Sequence, residues 1–274
     1  MIRPQRAHLI TGGFPPGSDA GHDMDYARLQ ILQKLRANDH LAVTVANDYQ
    51  DVERWLPGTN LLITYVAGPY PVGAGNEALL NWLEAGGRWL ALHGTSGGKA
   101  VKTERDGRPV KKMVKAGHHQ TLGCFFLNHP PLSEFQVSVT GDHPVTRDLP
   151  DSFTVQDELY LIELQDPGAS QILLTTELVE DPSPPGFGFV YDEDTSLQAD
   201  GKTRVLGYAR KIGQGEVVYL GLGHCHTGRA DSPSPVDPSI HPDGTMPPEF
   251  RGAWESEAFA RLLQNAIAWG TGKL

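Results

Sequence analysis

Eleven histidines are present, and three of the segments that carry them come directly after short apolar runs. Ala7–Thr11 leads into Gly12-Gly13 and a loop holding His22-Asp23. Arg88–His93 leads into Gly94-Thr95-Ser96-Gly97-Gly98, and Glu216–Leu222 into Gly223-His224-Cys225-His226. Neutral imidazole ligates zinc and other divalent transition metals, and it exchanges protons near neutral pH. His224 and His226, two apart on an extended chain, project to one side and can share one ion, with His22, His93 or His129 completing the shell. The same rings serve equally as polar ligand contacts or as caps on strand ends.

Two other chemistries fit the residue types. Gly94-Thr95-Ser96-Gly97-Gly98 matches G-x-S-x-G, and Ser96, Asp157 and His224 follow the chain order of a hydrolase triad. That elbow requires a helix behind it, whereas Lys99-Ala100-Val101-Lys102-Thr103-Glu104-Arg105 does not read as one. The third is acid–base work by Asp157-Glu158-Leu159-Tyr160. In an extended stretch Asp157 and Glu158 face opposite ways, so one carboxylate can meet His93 or His224 while the other forms a structural ion pair. Cys124, in Leu122-Gly123-Cys124-Phe125-Phe126-Leu127, reads as a packed thiol. Cys225 alternates away from its two histidines, which favours burial.

These residues need a scaffold that brings strand ends together. Ala7–Thr11, Leu41–Ala46, Asn60–Val66 and Arg88–His93 read as strands. Between them come a helix carrying Tyr26, Leu29, Leu32 and Leu35, and another over Glu77–Ala85. This alternation predicts an α/β, doubly wound, mostly parallel sheet, whose ligands bind beyond the strands' carboxyl ends. Further on, Glu134–Thr140, Thr154–Leu164 and Ser170–Thr176 read as strands. Thr203–Lys211 and Glu216–Leu222 form an additional antiparallel hairpin, and Met113–Leu122 reads as helical. Insertions 97–112 (basic), 180–200 (acidic) and 226–252 (six prolines) read as loops. A final helix with Trp254, Ala258, Leu262, Ala266 and Trp269 on one stripe returns to cover the sheet, which argues for a single domain over 1–274.

Composition narrows the function classes. The 274 residues are 39% hydrophobic and carry a net charge of −10, enough for a core and unfavourable for binding phosphate backbones. The longest apolar run, Leu61–Gly68, cannot span a bilayer. The start shows no secretory pattern, and two cysteines suit a reducing compartment. We therefore expect a cytoplasmic protein with neither nucleic-acid nor membrane partners.

Several segments, in order, resemble the ThuA-like (trehalose utilisation) family, whose domains are similar to class I glutamine amidotransferases. They are Gly86–His93, Leu122–Pro130, His143–Pro150, Asp157–Tyr160 and Gly215–His224. The resemblance implies a flavodoxin-like sheet with the loop after His93 at the amidotransferase elbow. Thr95 and Ser96 stand there instead of a cysteine, so thiol-based glutamine hydrolysis is not expected. It also implies a link to disaccharide and keto-sugar metabolism. The leading expectation is an enzyme acting on a sugar or keto-sugar, a hydrolase, lyase or isomerase. His93 and His224 would serve as acid–base groups or ligands, oriented by Asp157 or Glu158, with His22, Thr95, Ser96, His129 and Tyr160 lining the pocket and Tyr70 able to stack on a sugar. Cofactor expectations are either none or zinc or another divalent metal on His224 and His226. The rival is a non-catalytic binding or scaffold protein on a decayed site, and either could assemble as a homo-oligomer.

Overall fold

A computed structural model describes residues 5–13, 21–227 and 235–274. In chain order the elements are β1 Gln5–Gly13, α1 Met24–Arg36, β2 Leu41–Ala46, α2 Val52–Trp55, β3 Leu61–Ala67, α3 Ala74–Glu84 and β4 Arg88–Leu92. Then follow β5 Lys99–Arg105, β6 Arg108–Val114, α4 His118–Leu122, β7 Cys124–Asn128, β8 Ser133–Val139, β9 Ser152–Asp157 and β10 Leu161–Leu164. The last are β11 Ser170–Glu177, β12 Thr203–Ile212, β13 Gly215–Leu220 and α5 Glu257–Gly270.

Nine strands form one mixed sheet in the order β2-β1-β3-β4-β13-β12-β11-β8-β9. Neighbours from β2 to β13 pair parallel, and every pair from β13 to β9 is antiparallel. The fold is thus α/β with a parallel core, and its antiparallel part extends well past the expected hairpin. β3, a nearly unbroken apolar run, is buried on both faces, as a central parallel strand must be. The carboxyl ends of β1, β4 and β13 lie at one edge, and there the three histidine segments begin.

Helix α1 buries Met24, Ala27, Ile31 and Leu35, whereas Leu29 of the expected stripe is 52% exposed. A strict three-residue spacing drifts about 60° per step around a 3.6-residue helix, so Tyr26, Leu29, Leu32 and Leu35 cannot share a face. Asp23 caps the helix, its Oδ1 accepting from the Tyr26 N–H at 3.0 Å. Helix α5, capped by Ser256, packs Phe259, Leu262, Leu263, Ala266 and Ile267 into the core. Burial of each phenylalanine, leucine or isoleucine here contributes about 1.5–3 kcal/mol. Trp254 lies ahead of that helix, in a 3-10 turn over Gly252–Glu255.

Three expectations are corrected, and one further strand is found. The basic insertion is a β5–β6 hairpin, not a loop: Asp106 and Gly107 have φ of 53° and 72°, the two-residue turn that matches strand twist. The helix expected over Met113–Leu122 is confined to His118–Leu122, because β6 runs on to Val114. Cys124–Asn128 is a strand pairing with β10. Thr154–Leu164 is two strands in different sheets, broken at Glu158-Leu159-Tyr160. The break lets Asp157 and Glu158 both turn inward. Residues 228–234 of the proline-rich insertion lie outside the described residues. The remainder is tied down by backbone bridges between His226 and Phe250 and between Pro235 and Thr245. Among the described residues no helix is long and apolar enough to cross a membrane.

Candidate metal centre

The site begins where β4 ends. His93 has φ of 43°, a left-handed backbone that costs an L-residue about 1–2 kcal/mol. The strain is held from several sides. The Tyr219 hydroxyl donates to the His93 carbonyl at 3.0 Å, and the Tyr70 hydroxyl to the Gly94 carbonyl at 2.8 Å. A Cβ on Gly94 would lie 2.6 Å from the Val66 carbonyl oxygen, so only glycine lets the turn approach β3. Strained strand-end elbows are where chemistry is often mounted; here the mounted group is an imidazole.

The hydroxyls of that elbow belong to its framework. Ser96 Oγ donates to the Tyr219 hydroxyl at 2.8 Å and lies 3.2 Å from the His93 carbonyl. Thr95 Oγ1 donates to the Thr64 carbonyl, and both residues are fully buried. The chain after the elbow is hairpin, not helix, so the triad geometry anticipated for Ser96 has no helix N-terminus behind it. Tyr70 stacks on His118 at 4.5 Å.

Asp157 and Glu158 divide their work. Asp157 Oδ2 accepts from the Gly223 N–H at 2.7 Å, and Oδ1 from the N–H groups of His224 (2.9 Å) and Glu158 (2.7 Å). Burial pushes its carboxyl up to about 6, against the pull of His93 and those three donors. It orients the loop that carries His224. Glu158 is the carboxylate at the centre: Oε2 lies 3.3 Å from His93 Nε2 and 3.2 Å from His224 Nδ1, while Oε1 lies 3.2 Å from His129 Nδ1. Burial alone would raise its carboxyl; protons carried on the facing nitrogens of His129, His224 and His93 override this and hold it well below the usual range.

Hydrogen bonds at the back of each ring decide which nitrogen faces Glu158. His93 Nδ1 is 2.7 Å from the Gly221 carbonyl, which only accepts, so Nδ1 carries a hydrogen and in the neutral ring Nε2 presents a lone pair. His226 Nε2 donates to the Pro247 carbonyl at 3.0 Å, leaving its Nδ1 to accept from His224 Nε2 at 3.1 Å. His224 therefore also presents a lone pair, at Nδ1. Among the described residues neither His93 Nε2 nor His224 Nδ1 has a hydrogen-bond partner, although both are buried.

Two lone pairs thus point toward one anionic oxygen, which is repulsive unless a proton or a cation stands between them. Burial, ahead of the attraction of Glu158, lowers the affinity of His224 for a proton. The geometry suits a cation instead. Donors on a tetrahedral ion with bonds of about 2.0–2.1 Å lie about 3.4 Å apart, close to the 3.3 and 3.2 Å seen here. The half-buried His22 ring packs edge-on at 5.1 Å from His93 and 5.0 Å from His224, and one ligand atom from each of His22, His93, Glu158 and His224 lies within 4.8 Å of the others. This buried group can hold a metal ion. A back-side carbonyl, as at His93, is a usual support for a ligating histidine, and at His224 the His226 ring takes that place.

His224 of the H-x-H pair belongs to the cluster, and His226 stands behind it. Tyr160 stacks on His93 at 4.0 Å and walls the site. Cys225 turns away, its thiol 3.6 Å from the Tyr65 hydroxyl, and burial pushes it up to about 12. Cys124 is likewise buried and raised to about 12. Sequence reasoning missed Arg251. It pairs with Asp23 at 2.7 Å and lies over the Tyr26 ring, while the Asp23 N–H donates to the Cys225 carbonyl at 2.7 Å. These ties bring the His22 turn to His224, and no local motif could reveal a contact 228 residues apart in the chain.

Fold and site together define an α/β protein with a histidine–carboxylate centre at the carboxyl edge of its parallel strands. Residues 17–233 match the model of the ThuA family, described as trehalose utilisation, and the chain belongs to that family. A ThuA-like protein from Bacteroides uniformis is similar at 18% identity over 97% of this chain and 91% of its own, with a TM-score of 0.58. One from Parabacteroides merdae is similar at 19% identity over 98% and 91%, also with a TM-score of 0.58. A β-galactosidase from Rahnella sp. R3 shares the fold at 14% identity over 80% of this chain and 28% of its own, with a TM-score of 0.51. No protein of curated function matches the chain in sequence.

Proposed function

We propose that this protein is a metal-dependent enzyme acting on a sugar or keto-sugar, with His22, His93, Glu158 and His224 holding a zinc-class divalent ion. The observation that carries this reading is the convergence of two lone-pair nitrogens on one oxygen of Glu158. The carbohydrate substrate is supported by membership of a trehalose-utilisation family. When bound, such an ion supplies a Lewis acid at a sugar oxygen. The chain's own residues do the rest. Asp157 and the Gly221 and Pro247 carbonyls hold the ligand rings in register. The Tyr160 and Tyr65 rings flank His93 and exclude water. His129, with 19% of its side chain exposed, stands between the buried carboxylate and the outside.

The test is the metal content of the purified protein beside His93→Ala and His224→Ala, together with turnover of a panel of disaccharides and their keto derivatives. About one equivalent of metal, lost along with turnover in both variants, is expected. A metal-free, fully active wild type overturns the assignment. Metal with only saturable melting shifts and no turnover would make the chain a sugar-binding protein instead.

A further inference from the structure

We propose that His129 is a positioning residue that restrains Glu158 to a single ligand oxygen, keeping one coordination position open. The inference rests on the metal-centre reading above. Glu158 Oε2 is the oxygen that both His93 Nε2 and His224 Nδ1 face. Its other oxygen, Oε1, lies 3.2 Å from His129 Nδ1. That nitrogen is also 2.9 Å from the Pro130 carbonyl. A carbonyl and a carboxylate both only accept, so Nδ1 carries the hydrogen and the tautomer is determined.

The ring cannot easily swing away. It stacks with Phe126 and with Tyr160, each at 6.0 Å, and meets Phe187 edge-on at 5.5 Å. Its backbone follows β7, whose last residue, Asn128, donates to Asp181 at 2.9 Å and to Ser183 at 3.2 Å and accepts from the Phe189 N–H at 2.9 Å. Thus the 181–189 segment of the acidic insertion is fastened beside the ring. A carboxylate free at both oxygens can chelate an ion with both. The N–H donates to the Pro130 carbonyl and leaves Oε1 in a 3.2 Å ion contact with the ring, which chelation would require breaking. His129 thereby sets the ligand count without touching the ion.

The experiment compares wild type, His129→Leu and His129→Asn after loading with Co2+, reading the visible absorption, which reports coordination number, and the Co2+ dissociation constant. The leucine variant keeps the apolar contacts and removes the donor. The asparagine amide nitrogen falls where Nδ1 stood and restores it. The leucine variant should show weaker bands of higher coordination and bind 10–100-fold more weakly, and the asparagine variant should look like wild type. Should the leucine variant fold poorly, His129→Gln, whose amide nitrogen falls near the Nε2 position, is expected to show the same loss. Wild-type spectrum and affinity in a donor-less variant would overturn the proposal and leave the metal centre standing. Failure of the wild type to take up Co2+ would overturn the metal centre itself, and this inference with it.

Discussion

His226 lies directly behind His224, Nδ1 to Nε2 at 3.1 Å, and is itself anchored by the Pro247 carbonyl at 3.0 Å. A ring outside the ligand group therefore decides which nitrogen of His224 reaches Glu158. Replacing it by leucine leaves His224 free to take the other tautomer. We expect His226→Leu to bind metal 10–100-fold more weakly while His224→Ala loses it altogether, as read by competition with a chromophoric chelator.

Ser96 gives the sharpest separation between metal-dependent and serine-based chemistry. Its hydroxyl meets a phenol and a carbonyl, so Ser96→Ala should cost about 1 kcal/mol of stability and leave turnover within a few-fold of wild type. Abolished turnover in a folded Ser96→Ala protein would restore the nucleophile reading.

Gly94→Ala tests the elbow. The added Cβ meets the Val66 carbonyl oxygen, so either β3 or the elbow must shift, at a cost of about 1–3 kcal/mol. Because His93 precedes this residue, metal affinity should fall with stability. Urea denaturation and metal titration on the same sample check both.

Acid stability should reflect His118, buried against Tyr70 at the back of the elbow. Burial, ahead of the neighbouring His119, pushes its imidazole down to about 3, with the Thr95 and Gly97 carbonyls countering only in part. The folded value lies below the unfolded one near 6.5, so between these values the unfolded chain holds the extra proton. Stability then rises with pH through that window and is lost as pH falls. At pH 5 the loss relative to pH 7 is about 2 kcal/mol from this group. His118→Phe, which keeps the stack, should remove that part of the acid limb in urea melts. An unchanged slope would show that His118 does not titrate this way.

Much of this was readable in the chain alone. Segments such as Asn60–Val66 read as strands, and alternation with helices places their carboxyl ends together. The sequence pattern alone therefore brings His22, His93 and His224 to one edge. The basic segment 97–112 reads as a loop from its charge, and only the structure shows the hairpin that turns at Asp106-Gly107. Only the tertiary structure separated Glu158 from Asp157. A period-two reading sends neighbours to opposite faces, and here the strand breaks between them and both turn inward. Nor could spacing show that His226 supports His224 and does not join it, or that Arg251 pins the His22 turn. Local sequence determines which way a strand or helix turns its side chains. Which nitrogen bears a lone pair depends on carbonyls such as Gly221 and Pro247, brought close only by packing of distant segments.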